Sequence, residues 1–297
     1  MEYLENKFYI KSKNNDEFNL IEKYPSLKYL DGKSYPVFNN NYQSFSGKDG
    51  NMFINSSFDK SIFNANFYLR GSDYRDFIMT RHDLYSEFSD RGLIRIRTGE
   101  DIDKIMFVRP NNFEINFIDD GNFDSLFTIQ FDIVSGYKYS FKRSDESDID
   151  KLSLGMNFQT TDVPVYTHGL EKFRIFNPSD VIVDPYYQRH DLILKINFEG
   201  DSYKITNKTN NTSYSYNEKS IFEDNIILNG LTTTKNGELA SQNTDFGFIQ
   251  LEKGWNDIEV SGAVRHKTTF SFPFVFIDWY EWFNNCWKAW WHPKRSA

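Results

Sequence analysis

The residues of this 297-residue sequence that could do chemistry are five histidines, one cysteine and a surplus of acids. His82, His168, His190, His266 and His292 are scattered, and none lies at metal-ligand spacing from another histidine or from Cys286. No His-Glu-x-x-His, Gly-x-Ser-x-Gly or phosphate-binding glycine loop occurs. The densest acidic points, Asp119-Asp120 and Asp148 with Asp150, stand beside turn residues or in a charged stretch, where solvated carboxylates are normal. The expectation is therefore no catalytic residue, no metal and no cofactor. The strongest pattern is aromatic instead. Trp279, Trp282, Phe283, Cys286, Trp287, Trp290 and Trp291 recur at steps of three and four, the spacing of one helical face, and His292-Pro293-Lys294-Arg295 ends the run. Trp279, Trp282, Phe283, Trp287, Trp290 and Trp291 are candidate partner-docking residues, because tryptophan is enriched at interface hot spots. The same stripe could fold back on its own domain, since exposing so much aromatic surface is costly, or lie on a membrane surface.

The elements that would carry such surfaces are mostly strands. Between Phe58 and Gly136, Asn64–Leu69 alternates as a strand. Asp73–Phe88 switches to helical spacing, with Tyr74, Phe77, Ile78, Leu84, Tyr85 and Phe88 on its apolar face, and Ile94–Arg97 returns to period two. Lys104–Pro110 and Phe113–Asp119 look like paired strands, and Leu126–Val134 like a third. Arg70, Arg75, Arg81, Arg91, Arg95 and Arg97 gather around the helix, most of them solvated, with a few available to carboxylates of a neighbouring copy. The first 57 residues are turn-rich, with Ser46-Gly47-Lys48-Asp49-Gly50 a strong turn, and read as short strands with one long arm. Lys142–Lys151 is charged and aperiodic, the signature of a loose linker. Beyond it come strands at Phe173–Phe176, Leu192–Phe198, Tyr203–Asn207, Ser213–Tyr216, Ile226–Leu228, Phe246–Leu251, Trp255–Ser261 and Phe270–Phe276, the last with four phenylalanines on one face. That spacing, without a fixed repeat, suggests a β-sandwich. Asn207–Thr212 reads as a polar loop between two of them.

The totals agree with a mainly-β protein. There are 29 Phe and 18 Tyr, and aromatic residues favour strands. A net charge of −8 disfavours a nucleic-acid grip. The single cysteine excludes an internal disulfide. Neither a secretory leader nor a run of ~18 apolar residues is seen, so synthesis in the cytoplasm and no membrane span are expected.

Several of these pieces, taken in order, resemble the distal tail (Dit) proteins of long-tailed bacteriophages. Phe67-Tyr68-Leu69 leads to Asp73-Tyr74-Arg75-Asp76-Phe77 and Arg81-His82-Asp83-Leu84-Tyr85, similar to that family's strand and helix, and Lys104–Pro110 is similar to its following hairpin. Phe173-Arg174-Ile175-Phe176-Asn177-Pro178-Ser179-Asp180-Val181, Ile205-Thr206-Asn207-Lys208-Thr209 and Leu251-Glu252-Lys253-Gly254-Trp255-Asn256 resemble its galectin-like domain, with Ser179 in place of a usual glycine. The Trp-rich end after Ile277 departs from the pattern. The resemblance implies a ring-forming N-terminal α+β domain over 1–141, with a β-sandwich and one short helix, and a galectin-like β-sandwich over 163–277; composition puts a linker over 142–162 and helical spacing an aromatic tail over 278–297. It implies a structural component of the virion tail tip, not an enzyme. Six copies would join the tail tube protein to a tail-associated lysin or fibre protein and to receptor-binding proteins, and DNA would pass the lumen without specific binding. The alternative is a stand-alone carbohydrate-binding β-sandwich module, with Trp255 its one candidate stacking residue and Gly254-Trp255-Asn256 reading first as turn and strand core.

Overall fold

The computed structural model describes residues 7–12, 15–119, 121–146 and 164–277. They fall into two compact units, one ending at Lys138 and one spanning Tyr139–Phe276.

The first unit contains β1 (Phe8–Lys11), β2 (Phe18–Asn19), α1 (Leu20–Lys23), β3 (Leu27–Tyr35), β4 (Phe38–Ser44), β5 (Asn51–Phe58), β6 (Ser61–Arg70), α2 (Tyr74–Glu87), β7 (Ile94–Thr98), β8 (Lys104–Pro110) and β9 (Asp124–Ile133). Seven strands form one antiparallel sheet in the order β2-β1-β7-β8-β9-β6-β3. Its centre follows from strict alternation: Phe63, Ala65, Phe67 and Leu69 of β6 point inward opposite Phe131, Ile129, Phe127 and Ser125 of β9. The sheet curls until its outer strands meet. Phe8 lies 5.3 Å from Tyr29, 5.2 Å from Phe67 and 6.1 Å from Phe131, centroid to centroid. A bulge in β3 between Tyr29 and Asp31 helps the curl. Gly32 follows it, and a Cβ there would stand 2.3 Å from the Tyr29 hydroxyl, so no side chain fits.

Helix α2 begins at Asp73, whose carboxylate accepts the Asp76 amide at 2.8 Å, while Asp76 accepts the Ser72 amide at 2.8 Å. This reciprocal cap satisfies donors that the first turn leaves free. Phe77, Thr80, Leu84 and Phe88 are buried; Tyr74 and Tyr85, expected on the apolar face, are exposed. The expected strand over Phe113–Asp119 is absent. That stretch is irregular, and β8 pairs with β9 instead. Its period-two pattern is real, but the residues face a helix. Phe117 stacks on Phe77 at 4.3 Å, Phe113 lies 5.2 Å from Tyr85, and Ile115 is buried. The Ile115 amide donates to the Tyr85 hydroxyl at 3.0 Å, and the Ile118 amide to Asp124 O at 3.0 Å.

The second unit holds β10 (Lys138–Arg143, from Tyr139 on), β11 (Thr167–His168), β12 (Lys172–Asn177), β13 (Ile193–Glu199), β14 (Tyr203–Asn207), β15 (Thr212–Tyr216), β16 (Ile226–Asn229), β17 (Thr232–Lys235), β18 (Glu238–Leu239), β19 (Gly254–Ser261), β20 (Arg265–Ser271) and β21 (Pro273–Phe276). One sheet runs β11-β20-β13-β16-β17-β18 and the other β12-β19-β14-β15. They enclose a core that includes Ile196, Phe198, Tyr203, Ile205, Tyr214, Ile258 and Val260. Phe270, Phe272, Phe274 and Phe276 are all buried in it, but the strand is interrupted at Phe272, so β20 and β21 are separate strands. Phe246–Leu251, expected to be a strand, is a loop joined to Val183 by a single bridge at Leu251. Strands β17 and β18 carry no apolar alternation in sequence and pair through a Thr-rich hairpin.

Lys142–Glu146, expected to open a loose linker, is described and bonded within this unit. β10 pairs with β21. The Ser144 hydroxyl donates to Phe270 O at 2.8 Å and accepts the Phe272 amide at 3.1 Å. Asp145 meets Lys195 Nζ at 2.7 Å. Residues 147–162 of the expected linker lie outside the described residues.

Asp224 staples the turn before β16. It receives Asn236 Nδ2 at 2.8 Å, Ser220 Oγ at 3.0 Å and the Ile221 amide at 3.2 Å, and Lys235 Nζ stands 3.3 Å away. The Asn236 amide leads these donors in holding its carboxyl down to about 2. The folded value lies below the ~3.9 of an unfolded aspartate. Its contribution is therefore complete above that pH and lost as the pH falls toward 2. Melting temperatures recorded from pH 5 to pH 2 should drop more steeply for the wild type than for Asp224→Asn; parallel curves would refute this assignment.

Candidate functional site

Among the described residues no group of three His, Cys, Asp or Glu side chains could hold a metal. His168 stacks on Phe173 at 4.3 Å. His190 and His266 are buried, and burial pushes both below the ordinary histidine value. His190 Nδ1 accepts the Asp184 amide at 3.2 Å, a loop-fixing contact. His82 is exposed on α2. Cys286, His292 and all six aromatic docking candidates, Trp279, Trp282, Phe283, Trp287, Trp290 and Trp291, lie outside the described residues.

The arginine cluster is largely used at home. Glu17 accepts Arg95 Nη2 at 2.6 Å and Arg97 Nη2 at 2.5 Å, and the Arg97 guanidinium lies 4.1 Å above the Tyr9 ring. Arg81 sits 5.9 Å over Phe77. Arg75 and Arg91 are exposed.

Trp255 is half-exposed rather than core, and strand alternation puts Asn256 inside. Its ring is already attended: Phe176 lies 5.0 Å away and the Arg174 guanidinium 4.6 Å above it. Asn177, Asn207 and Asn256, one in each of the three segments that resemble the galectin-like domain, are buried, although composition takes asparagine for a turn residue. Each satisfies loop backbone: Asn256 Nδ2 donates to Glu252 O at 2.8 Å, Asn207 Nδ2 to Gln250 O at 2.7 Å, and Asn177 Nδ2 to Leu251 O at 3.1 Å. Their advance signal was their place in those three segments, not their residue type.

The surface with the clearest capacity to bind is the β4–β5 hairpin. It forms a two-stranded sheet of its own, and β4 and β5 are exposed along their length up to Phe58. Gly47 and Gly50 at its tip have φ of +79° and +82°, which is why a Gly-rich turn closes it. It displays Phe38, Tyr42, Phe45, Met52, Phe53 and Ile54, each about half exposed. Cross-strand pairs order these side chains: Phe38 lies 5.1 Å from Phe58, and Tyr42 5.9 Å from Phe53. An isolated two-stranded hairpin is marginal in water, and exposed apolar side chains gathered on one element mark an interaction site. The hairpin lies within the turn-rich segment in which a long arm was expected.

Residues 17–133 match the family model described as phage tail protein RIFT-related domain. No curated protein matches the sequence. The crystal structure of the Dit protein (gp 19.1) of phage SPP1 is 11% identical and superposes with a TM-score of 0.64 over 90% of this chain and 99% of that one. A chain of the phage p2 baseplate in its activated conformation with Sr is 12% identical, with a TM-score of 0.46 over 90% of this chain and 97% of that one. Residues 17–133 thus match a phage tail protein RIFT-related domain, and nine-tenths of the chain shares the fold of the SPP1 protein.

Proposed function

We propose that this protein is a structural component of a bacteriophage tail tip: a baseplate hub whose N-terminal units assemble as a hexameric ring. The observation that carries the reading is the phage tail domain at residues 17–133, because the exposed apolar hairpin belongs to it. The SPP1 protein is described as a paradigm of hub adsorption apparatus in Gram-positive infecting phages, and its fold spans this chain. In this reading the ring joins the tail tube protein on one side to a tail-associated lysin or fibre protein on the other. The domain division is an N-terminal domain, a galectin-like domain over 163–277 that residues 142–146 join, and a tail over 278–297. The two-sheet second unit is the galectin-like domain, placed to hold receptor-binding proteins. The aromatic residues between Trp279 and Trp291 are a further docking segment. A net charge of −8 suits a lumen through which DNA passes without adhering.

A carbohydrate-binding module fits less well. The best aromatic platform for a sugar, Trp255, has Arg174 and Phe176 against its ring.

Mass measurement on the purified chain, alone and with its tail tube protein, tests the proposal. The expected result is a species of six 35.2 kDa subunits that looks annular by negative stain, with antibody label at the tail tip of particles. Particles that lack the protein would end the reading.

A further inference from the structure

We infer that one face of the β4–β5 hairpin is covered by the Trp279–Trp291 segment of a second copy of this chain. The inference rests on the ring reading and names the two surfaces that meet in it. Register sorts the hairpin into two unlike faces, because residues paired across neighbouring strands point the same way. Phe38 pairs with Phe58, Asn40 with Ser56 and Tyr42 with Phe53. These positions are two apart along β4, so all four rings stand on one face. A bulge beside Asn41 and Tyr42 leaves Ile54 without a partner and brings Phe53 opposite Tyr42. The other face is chiefly amide: Asn39, Asn41, Gln43 and Asn55 stand there with Met52, and Asn41 Nδ2 donates to Asn55 Oδ1 at 2.7 Å.

The aromatic face is ordered but bare. Tyr42 is 58% exposed and Phe53 56%. It is also uncharged. No residue from Ser34 to Gly47 or from Gly50 to Phe58 carries a charge, and Lys48 and Asp49 stand only at the tip. In a chain of which 26% is charged, two exposed strands without a charge are suited to an apolar partner, since interface cores are aromatic-rich and charge-poor.

Closure selects the occupant. A hairpin that met the same hairpin of a second copy would make a two-fold contact and stop at a dimer, whereas a ring needs two different patches of the chain to meet head to tail. The second patch is the aromatic stripe between Trp279 and Trp291, which holds five of the six tryptophans. On helical spacing Trp279, Phe283, Cys286 and Trp290 share one face, and the charged Glu281 and Lys288 fall on the opposite one. An uncharged stripe thus meets an uncharged sheet face. Their lengths agree as well: the segment spans about 18 Å at helical rise, and β4 about 20 Å. Ile277, the last described residue, groups with the first unit, so residues 278–297 set out from the unit that carries the hairpin.

Cys286, the one cysteine of the chain, lies in the middle of the stripe and allows a test by cross-linking. Ser56 stands at the centre of the aromatic face, and its neighbour Ser57, paired with Asn39, on the other. In rings of Ser56→Cys assembled with the tail tube protein, mild oxidation with copper–phenanthroline should join Cys286 of one copy to position 56 of the next. A non-reducing gel should then show a ladder in multiples of 35.2 kDa. Ser57→Cys should link at least roughly tenfold less, because a disulfide tolerates little separation. Adding Cys286→Ser to Ser56→Cys should abolish the ladder. Asn40→Cys, on the same face, supplies the test should Ser56→Cys fold poorly. A six-subunit ring without the ladder would overturn the inference. So would equal ladders from both faces, or a product linked only within one subunit. A wild-type chain that stays monomeric with its tube protein would instead sink the ring reading, a separate outcome.

Discussion

Changing Phe53 to Ser and Ile54 to Asp together should leave a folded subunit that no longer assembles. Both side chains are more than half exposed on β5 and contribute little to the subunit, and exposed substitutions usually shift stability by within about 0.5 kcal/mol. Burying each in a partner is worth about 1.5–3 kcal/mol, and placing a carboxylate in an apolar contact adds a desolvation cost. In the proposed ring the expected loss at each subunit contact is therefore several kcal/mol, enough to leave monomers. Mass photometry and thermal melting on the same sample check both halves of this statement. A ring of unchanged mass would show that the hairpin is not the contact. A lowered melting temperature would show that it packs on its own subunit.

The second large effect is in the core. Phe131 of β9 lies within about 6 Å of Phe8, Phe63 and Phe88, centroid to centroid, and is fully buried. It joins β1, β6 and the C-terminal end of α2 around one ring. Phe131→Ala should cost about 3–5 kcal/mol in urea unfolding, the range for a buried phenylalanine replaced by alanine. The cavity cannot collapse easily, because its walls are themselves aromatic and belong to three elements. A loss below about 1 kcal/mol would mean that the curled sheet is not the cooperative unit described above.

The elements that could be read in advance are those with their own periodicity. β6 and β9 alternate without interruption, α2 carries its cap in Asp73 and Asp76, and β12, β13, β14 and β19 each bury every second residue. Phe113–Asp119 misled because alternation reports which residues face inward, not what they face; here the opposing surface is α2. Phe246–Leu251 misled for a related reason. It is apolar enough for a strand, but Phe246 and Gly247 take loop geometry and Gln250 gives its amide to the Thr212 hydroxyl at 3.1 Å. Lys142–Glu146 looked solvated by composition. Ser144 and Asp145 instead find partners on β20 and β13, more than a hundred and some fifty residues away in sequence.

The sequence by itself determined a mainly-β chain with one amphipathic helix, an early arm and no constellation for catalysis, because composition and short-range periodicity are local properties of the chain. Only the tertiary structure decided which aromatic residues are core and which are surface. Phe and Tyr sit at both kinds of position, and burial depends on the partner strand or loop that long-range folding brings opposite. The exposed rings of the hairpin and of the Tyr186–Phe248 loops showed as surface only once the described residues around them were in place.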